Sequence, residues 1–189
     1  MRRLWLVRHG PTGAKGMCGW TDLAADLSDL TALGRLDRVL PEVPVVSSDL
    51  RRAVSTADAI AGDRPRLPHE PDLREMHFGA WEMRTHSEVE TEDAALARAL
   101  WDEPGDVAPP GGESWNALRT RVDGALDRLL AGTPELVAVC HFGPILAALQ
   151  RARGIAASEA FAERIEPLSL TVLAQRDGVW SVEAVNQRP

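Results

Sequence analysis

Three short apolar runs, residues 2–9 (RRLWLVRH), 44–49 (PVVSSD) and 135–142 (ELVAVCHF), each carry polar residues near their C-terminal end, just ahead of a turn or a helix start. Runs of this length read as buried strands, because they lack the polar alternation of a strand with one wet face. Helical patterns separate them. Residues 31–40 are amphipathic, LRRAVSTADAIAG (50–62) ends on a closing glycine, and Ser114 caps a long helix to about Leu130. Gly143-Pro144 opens a further helix that ends at Gly154. Ser48 or Asp49 is the expected cap of the second helix, PRLPHE a brief strand, and Ser87 with Glu90 a capping box opening a helix to about Trp101. The closing LSLTVLAQRDGVWSVEAV alternates and turns at Asp177-Gly178, a hairpin signal. The predicted class is α/β: a three-layer α/β/α sandwich with a mostly parallel central sheet and a C-terminal antiparallel hairpin.

A chain of 189 residues suits one domain, residues 1–189, with residues of about 70–112 read as a helical insertion over one end of the sheet. No repeat or low-complexity tract divides it. No apolar run is long enough to span a bilayer, and the stretch after the two N-terminal arginines is too short for a secretory signal, so the expected location is the cytoplasm. The two cysteines, Cys18 and Cys140, do not make a disulfide framework. A net charge of −7 argues against nucleic-acid and membrane-surface partners. An anionic ligand would therefore need positive charge gathered locally, and the basic residues are nearly all arginine.

Such gathering is visible at the strand ends, where open α/β sheets bind ligands. The first run ends in Arg8-His9. The second leads into a helix whose first turn holds Arg51 and Arg52. The third ends in His141 ahead of a helix N-terminus. Two arginines, two histidines and free N–H groups make an anion cradle, and a phosphate is the expected occupant. Helical phase separates adjacent side chains, so Arg52 is expected to face the site and Arg51 solvent.

The ordered blocks LVRHGPT, SSDLRRAVSTA, LREMHFGAWEM and VCHFGPI resemble the histidine phosphatase superfamily, also called phosphoglycerate mutase-like, over roughly residues 3–150. The resemblance implies that His9 is the nucleophile and that Arg8, Arg52 and His141 bind the phosphoryl oxygens. Glu75 would protonate the leaving oxygen and later activate water, with Glu82 as the second candidate acid. Thr12 and Ser47 match flanking positions that add hydrogen bonds, and Phe142 counts among the substrate-binding candidates. Trp20 and Trp81, in site-facing loops, are candidates for stacking on a substrate ring. His69, His77 and His86 show no metal-ligand spacing, although His77 and His86 flank the acid loop within reach of a substrate tail. The chain departs from the family pattern at Pro11, where glutamate is common, in GAKG (13–16), which has no asparagine, at Phe142 between His141 and Gly143, and at Met83, where glycine is frequent. None of these removes a catalytic group.

The implied activity is a metal-independent phosphomonoesterase acting on a small phosphorylated metabolite through a phosphohistidine, most similar to the small phosphatases of the family. A phosphoglycerate-type mutase, a phosphohistidine-protein phosphatase and a non-catalytic phospho-ligand binder are the alternatives. No cofactor and no metal are called for. Phosphate or sulfate is expected to bind in the site, and a homodimer is compatible with the reading.

Overall fold

The computed structural model describes residues 1–189 and contains a five-stranded sheet in the order β2-β3-β1-β4-β5. Its strands are β1 (Arg2–Arg8), β2 (Val45–Ser47), β3 (Glu135–Cys140), β4 (Leu170–Arg176) and β5 (Val179–Gln187). β2, β3 and β1 are parallel neighbours, whereas β4 runs antiparallel to both β1 and β5. The hairpin turns at Asp177 and Gly178, both with positive φ.

The apolar runs bury both faces. Leu4, Leu6, Leu136, Ala138 and Cys140 join one core, while Val7, Val137 and Val139 join the other. Helices α1 (Leu30–Val39) and α2 (Arg51–Ala61) cover the second face through Leu33, Leu36, Ala53, Ala57 and Ile60. Helices α5 (Trp115–Gly132) and α6 (Phe142–Arg153) cover the first through Leu118, Val122, Ile145 and Leu149. The chain thus leaves β1 over one face toward β2 and leaves β3 over the other toward β4. The β1/β3 boundary is therefore a topological switch point, where a crevice opens at the strand ends.

Three local expectations are corrected. The N-cap of α2 is Leu50, without a side-chain cap bond; Ser48 Oγ accepts from Leu50 N, and Asp22, far upstream, accepts from Arg51 N at 2.7 Å. PRLPHE forms only an isolated bridge, Val45 to Arg66: Leu67 N donates to Val45 O, but the next bond to β2 comes from Glu70 N to Ser47 O, one residue out of step with a ladder. The helix expected to reach Trp101 is two helices, α3 (His86–Glu92) and α4 (Ala94–Asp102). Its capping box is Thr85 with Glu88 instead of Ser87 with Glu90, and Asp93 breaks the run by turning its carboxylate to Leu96 N. Helix α7 (Ala157–Phe161) follows α6, and single 3₁₀ turns lie at Pro71–Leu73 and Gly79–Trp81.

Candidate active site

The register of β1 on β3 pairs Arg8 with Cys140, so the next residues, His9 and His141, leave neighbouring strands side by side. Their rings lie 4.9 Å apart between centroids. Helix α2 turns the fully buried Arg52 between them and leaves Arg51 exposed. Arg52 Nε donates to His9 Nε2 and to His141 Nδ1, each at 3.2 Å.

These contacts fix both tautomers. His9 Nδ1 lies 2.6 Å from the Gly10 carbonyl, which can only accept, so Nδ1 carries the proton and Nε2 keeps its lone pair. His141 accepts at Nδ1, so its proton sits on Nε2, which is buried and has no partner. Burial and then the Arg52 charge push the His9 pKa down to about 3, and the same causes, with His9 itself, hold His141 well below the ordinary histidine value. Both rings are neutral at neutral pH.

The far end of Arg52 is gripped by a loop. Its Nη1 donates to Thr21 O at 2.9 Å and its Nη2 to Gly19 O at 2.6 Å. That loop is itself held by Glu82, whose carboxylate accepts from the N–H groups of Gly19, Trp20 and Thr21, from Phe78 N and from the Thr21 hydroxyl, at 2.6–3.1 Å. Burial acts to raise the Glu82 pKa, but these bonds outweigh it and hold the carboxyl below its usual range. A carboxylate so engaged is poorly suited to be an acid; it keeps the Arg52 loop in shape.

Glu75 is the opposite case. It is buried and accepts at Oε1 from Gly143 N at 3.0 Å and Met76 N at 2.9 Å. Burial raises its pKa, against these bonds and the charges of Arg52 and Arg8. Its backbone carbonyl receives Arg121 Nη2 and Trp20 Nε1, each at 2.9 Å, while Arg121 Nη1 donates to Asp72 O and Arg74 O. Arg121, also paired with Glu113, thus fastens the segment carrying Glu75 to α5. Arg8 donates from Nη1 to Ile165 O and lies over the Phe142 ring, 5.4 Å from its centroid.

A cavity of about 410 Å³, within the usual range for small-molecule sites, opens over these groups. Arg8, His9, Thr12, Arg52, Glu75 and Phe142 line it, and His141 adjoins this wall through His9 and Arg52, with its Nε2 unpartnered. Three expected residues lie elsewhere. Ser47 is buried against His69 and Arg66, because its side chain alternates away from the crevice. Trp81 is in the core, drawn there by the 3₁₀ turn. Trp20 does not line the cavity either: it packs outside it against Arg74 and His77 and holds the Glu75 carbonyl. His86 does reach the cavity wall, whereas His77 does not. Trp101, Trp115 and Phe161 line the cavity without having been expected there, and only their apolar character hinted at burial. No three His, Cys, Asp or Glu side chains converge as a metal site.

The profile of the histidine phosphatase superfamily (branch 1) matches residues 4–188. The chain is 30% identical to the adenosylcobalamin/alpha-ribazole phosphatase of Salmonella typhimurium, over 98% of this chain and 96% of that one. It is 44% identical to the glucosyl-3-phosphoglycerate phosphatase of Mycolicibacterium vanbaalenii, over 72% of this chain and 60% of that one. The solved complex of a mycobacterial glucosyl-3-phosphoglycerate phosphatase with inorganic phosphate superposes with a TM-score of 0.84 at 27% identity, over 99% of this chain and 98% of that one. The protein belongs to the histidine phosphatase superfamily.

Proposed function

We propose that the protein is a metal-independent phosphomonoesterase that hydrolyses a small phosphorylated metabolite, with His9 as nucleophile. The observation that carries this reading is the His9 tautomer: a neutral ring whose Nε2 lone pair is turned toward Arg52 and whose Nδ1–H is fixed by Gly10 O.

The substrate phosphoryl group binds between Arg8, Arg52 and the Nε2–H of His141, whose positive charge and donor offset the charge on its oxygens. Arg52 then exchanges its bonds to the ring nitrogens for bonds to phosphate, which frees His9 Nε2. That nitrogen attacks phosphorus as the bond to the leaving oxygen breaks, and the Glu75 carboxyl, whose pKa burial raises, gives its proton to that oxygen. In the second half, the Glu75 carboxylate takes a proton from water, the water oxygen attacks phosphorus and the N–P bond breaks. Phosphate leaves, with His9 neutral and Glu75 protonated again. The two guanidinium groups supply the positive charge that such chemistry needs.

The reading also takes the chain as one domain with residues of about 70–112 as an insertion beside the site, working in the cytoplasm. No helix is long and apolar enough to cross a membrane.

The test is hydrolysis of p-nitrophenyl phosphate in excess EDTA with His9→Ala alongside. Activity that survives the chelator and is lost in the variant is expected. Chelator-sensitive activity, or full activity in the variant, would overturn the mechanism.

A further inference from the structure

The cavity has two chemically different ends. One holds Arg8, His9, Arg52 and Glu75, and the other is walled by rings from four separate segments: Phe78 against Trp101, Trp101 on α4, Trp115 at the start of α5 and Phe161 at the end of α7. The rings touch one another. Trp115 and Phe161 meet edge-on at 4.7 Å between centroids, and Trp101 lies 6.2 Å from Phe78 and 6.4 Å from Phe161. Met17 and Met76 add adaptable apolar surface. The only arginines in the wall are the two of the phosphate cradle, and it contains no lysine. His86, edge-on to Trp101 at 4.9 Å, is the one titratable group of the ring-walled end.

This lining discriminates between leaving groups. A carboxylate or second phosphate pushed among these rings would lose its hydration and find no arginine or lysine there. A flat apolar ring would gain buried area and edge-to-face contacts with rings already fixed by one another. Resting on the phosphatase reading above, we propose that the substrate is the phosphate monoester of an alcohol bearing an uncharged aromatic or similarly flat apolar group, and that Trp101 and Phe161 select it over alcohols carrying a second anion. Substrates of the phosphoglycerate kind, with a carboxylate near the ester, are thereby disfavoured.

The test compares 2-phenylethyl phosphate with the phosphate monoester of 3-hydroxypropionate. Both are esters of primary alcohols with leaving oxygens of similar basicity, so the ratio of their kcat/KM values reports the binding of the tail. The expected ratio is about 30-fold or more in favour of the phenyl ester, mostly through KM. Trp101→Ala and Phe161→Ala are each expected to shrink it several-fold, and Phe161→Leu, which keeps apolar volume, to shrink it less. A ratio near one or favouring the carboxylate in the native chain would overturn the proposal. So would a ratio unchanged in both alanine variants. Turnover of neither ester nor of p-nitrophenyl phosphate would instead overturn the phosphatase reading itself, whereas turnover with the wrong preference leaves that reading standing.

Discussion

The backbone N–H of Gly143 donates to Glu75 Oε1 at 3.0 Å, so the first turn of α6 holds the carboxyl that lines the cavity. The contact requires glycine, because a Cβ at this position would stand 2.3 Å from the same oxygen. Phe142, standing between His141 and Gly143, therefore leaves intact the glycine N–H that α6 delivers to Glu75. Gly143→Ala should cut kcat/KM by about 100-fold, as expected for displacement of a catalytic group by about an ångström. Circular dichroism should show the fold retained. Near-native activity in a folded variant would mean that Glu75 does not need this position.

Glu75→Gln keeps the size and one acceptor but cannot deliver a proton. Esters of alkyl alcohols, which leave as strong bases, should slow by about 100- to 1,000-fold, and p-nitrophenyl phosphate by about tenfold or less. Equal slowing of both would remove Glu75 from the role of acid. Because its pKa is raised by burial, the native enzyme should also lose alkyl-ester turnover as pH rises through that raised value.

The depressed His9 pKa also bears on stability. In the unfolded chain His9 regains its ordinary value of 6.5, against about 3 when buried in the fold beside Arg52 and Arg8. Between those values the unfolded chain binds more protons, so stability rises with pH across the window and is lost as pH falls from about 6.5 toward 3. His141, depressed as well, acts in the same direction. The drop in Tm between about pH 7 and pH 4.5 should be smaller in His9→Gln than in the native chain. An equal drop would show that the His9 ring does not oppose protonation.

Met83 sits in the left-handed region at φ 61°, where the family commonly has glycine. Its side chain is exposed, so little packing offsets the strain. Met83→Gly should raise stability by about 0.5–1 kcal/mol, measured by urea denaturation, after allowing for the chain entropy glycine adds to the unfolded state. A loss of stability would mean that the thioether contributes more than the backbone strain costs.

Much of the cradle was legible because it depends on short-range rules. Three two-faced apolar runs imply neighbouring strand ends, and Arg8, His9 and His141 sit at those ends by sequence position alone. Helical phase was enough to separate buried Arg52 from exposed Arg51. The loop residues were harder. Ser47 alternates out of the crevice and Trp81 turns into the core, because each orientation is set by one pleat or one 3₁₀ turn. The apolar end of the cavity was not legible at all, since Phe78, Trp101, Trp115 and Phe161 come from segments with no shared periodicity and meet only through packing. The same holds for Arg121 and Glu82. Nothing in the sequence marks Arg121, and Glu82 reads there as a second candidate acid, yet both direct hydrogen bonds to backbone of the site loops.

The central claim is that phosphate passes through His9. Incubation with a ³²P-labelled phosphate monoester, followed by a rapid alkaline quench that preserves phosphohistidine, tests it most directly. The native protein should carry label that mapping assigns to the peptide containing His9, and His9→Ala should carry none. Rapid turnover by the native enzyme with no trapped label, or label retained in His9→Ala, would contradict the account.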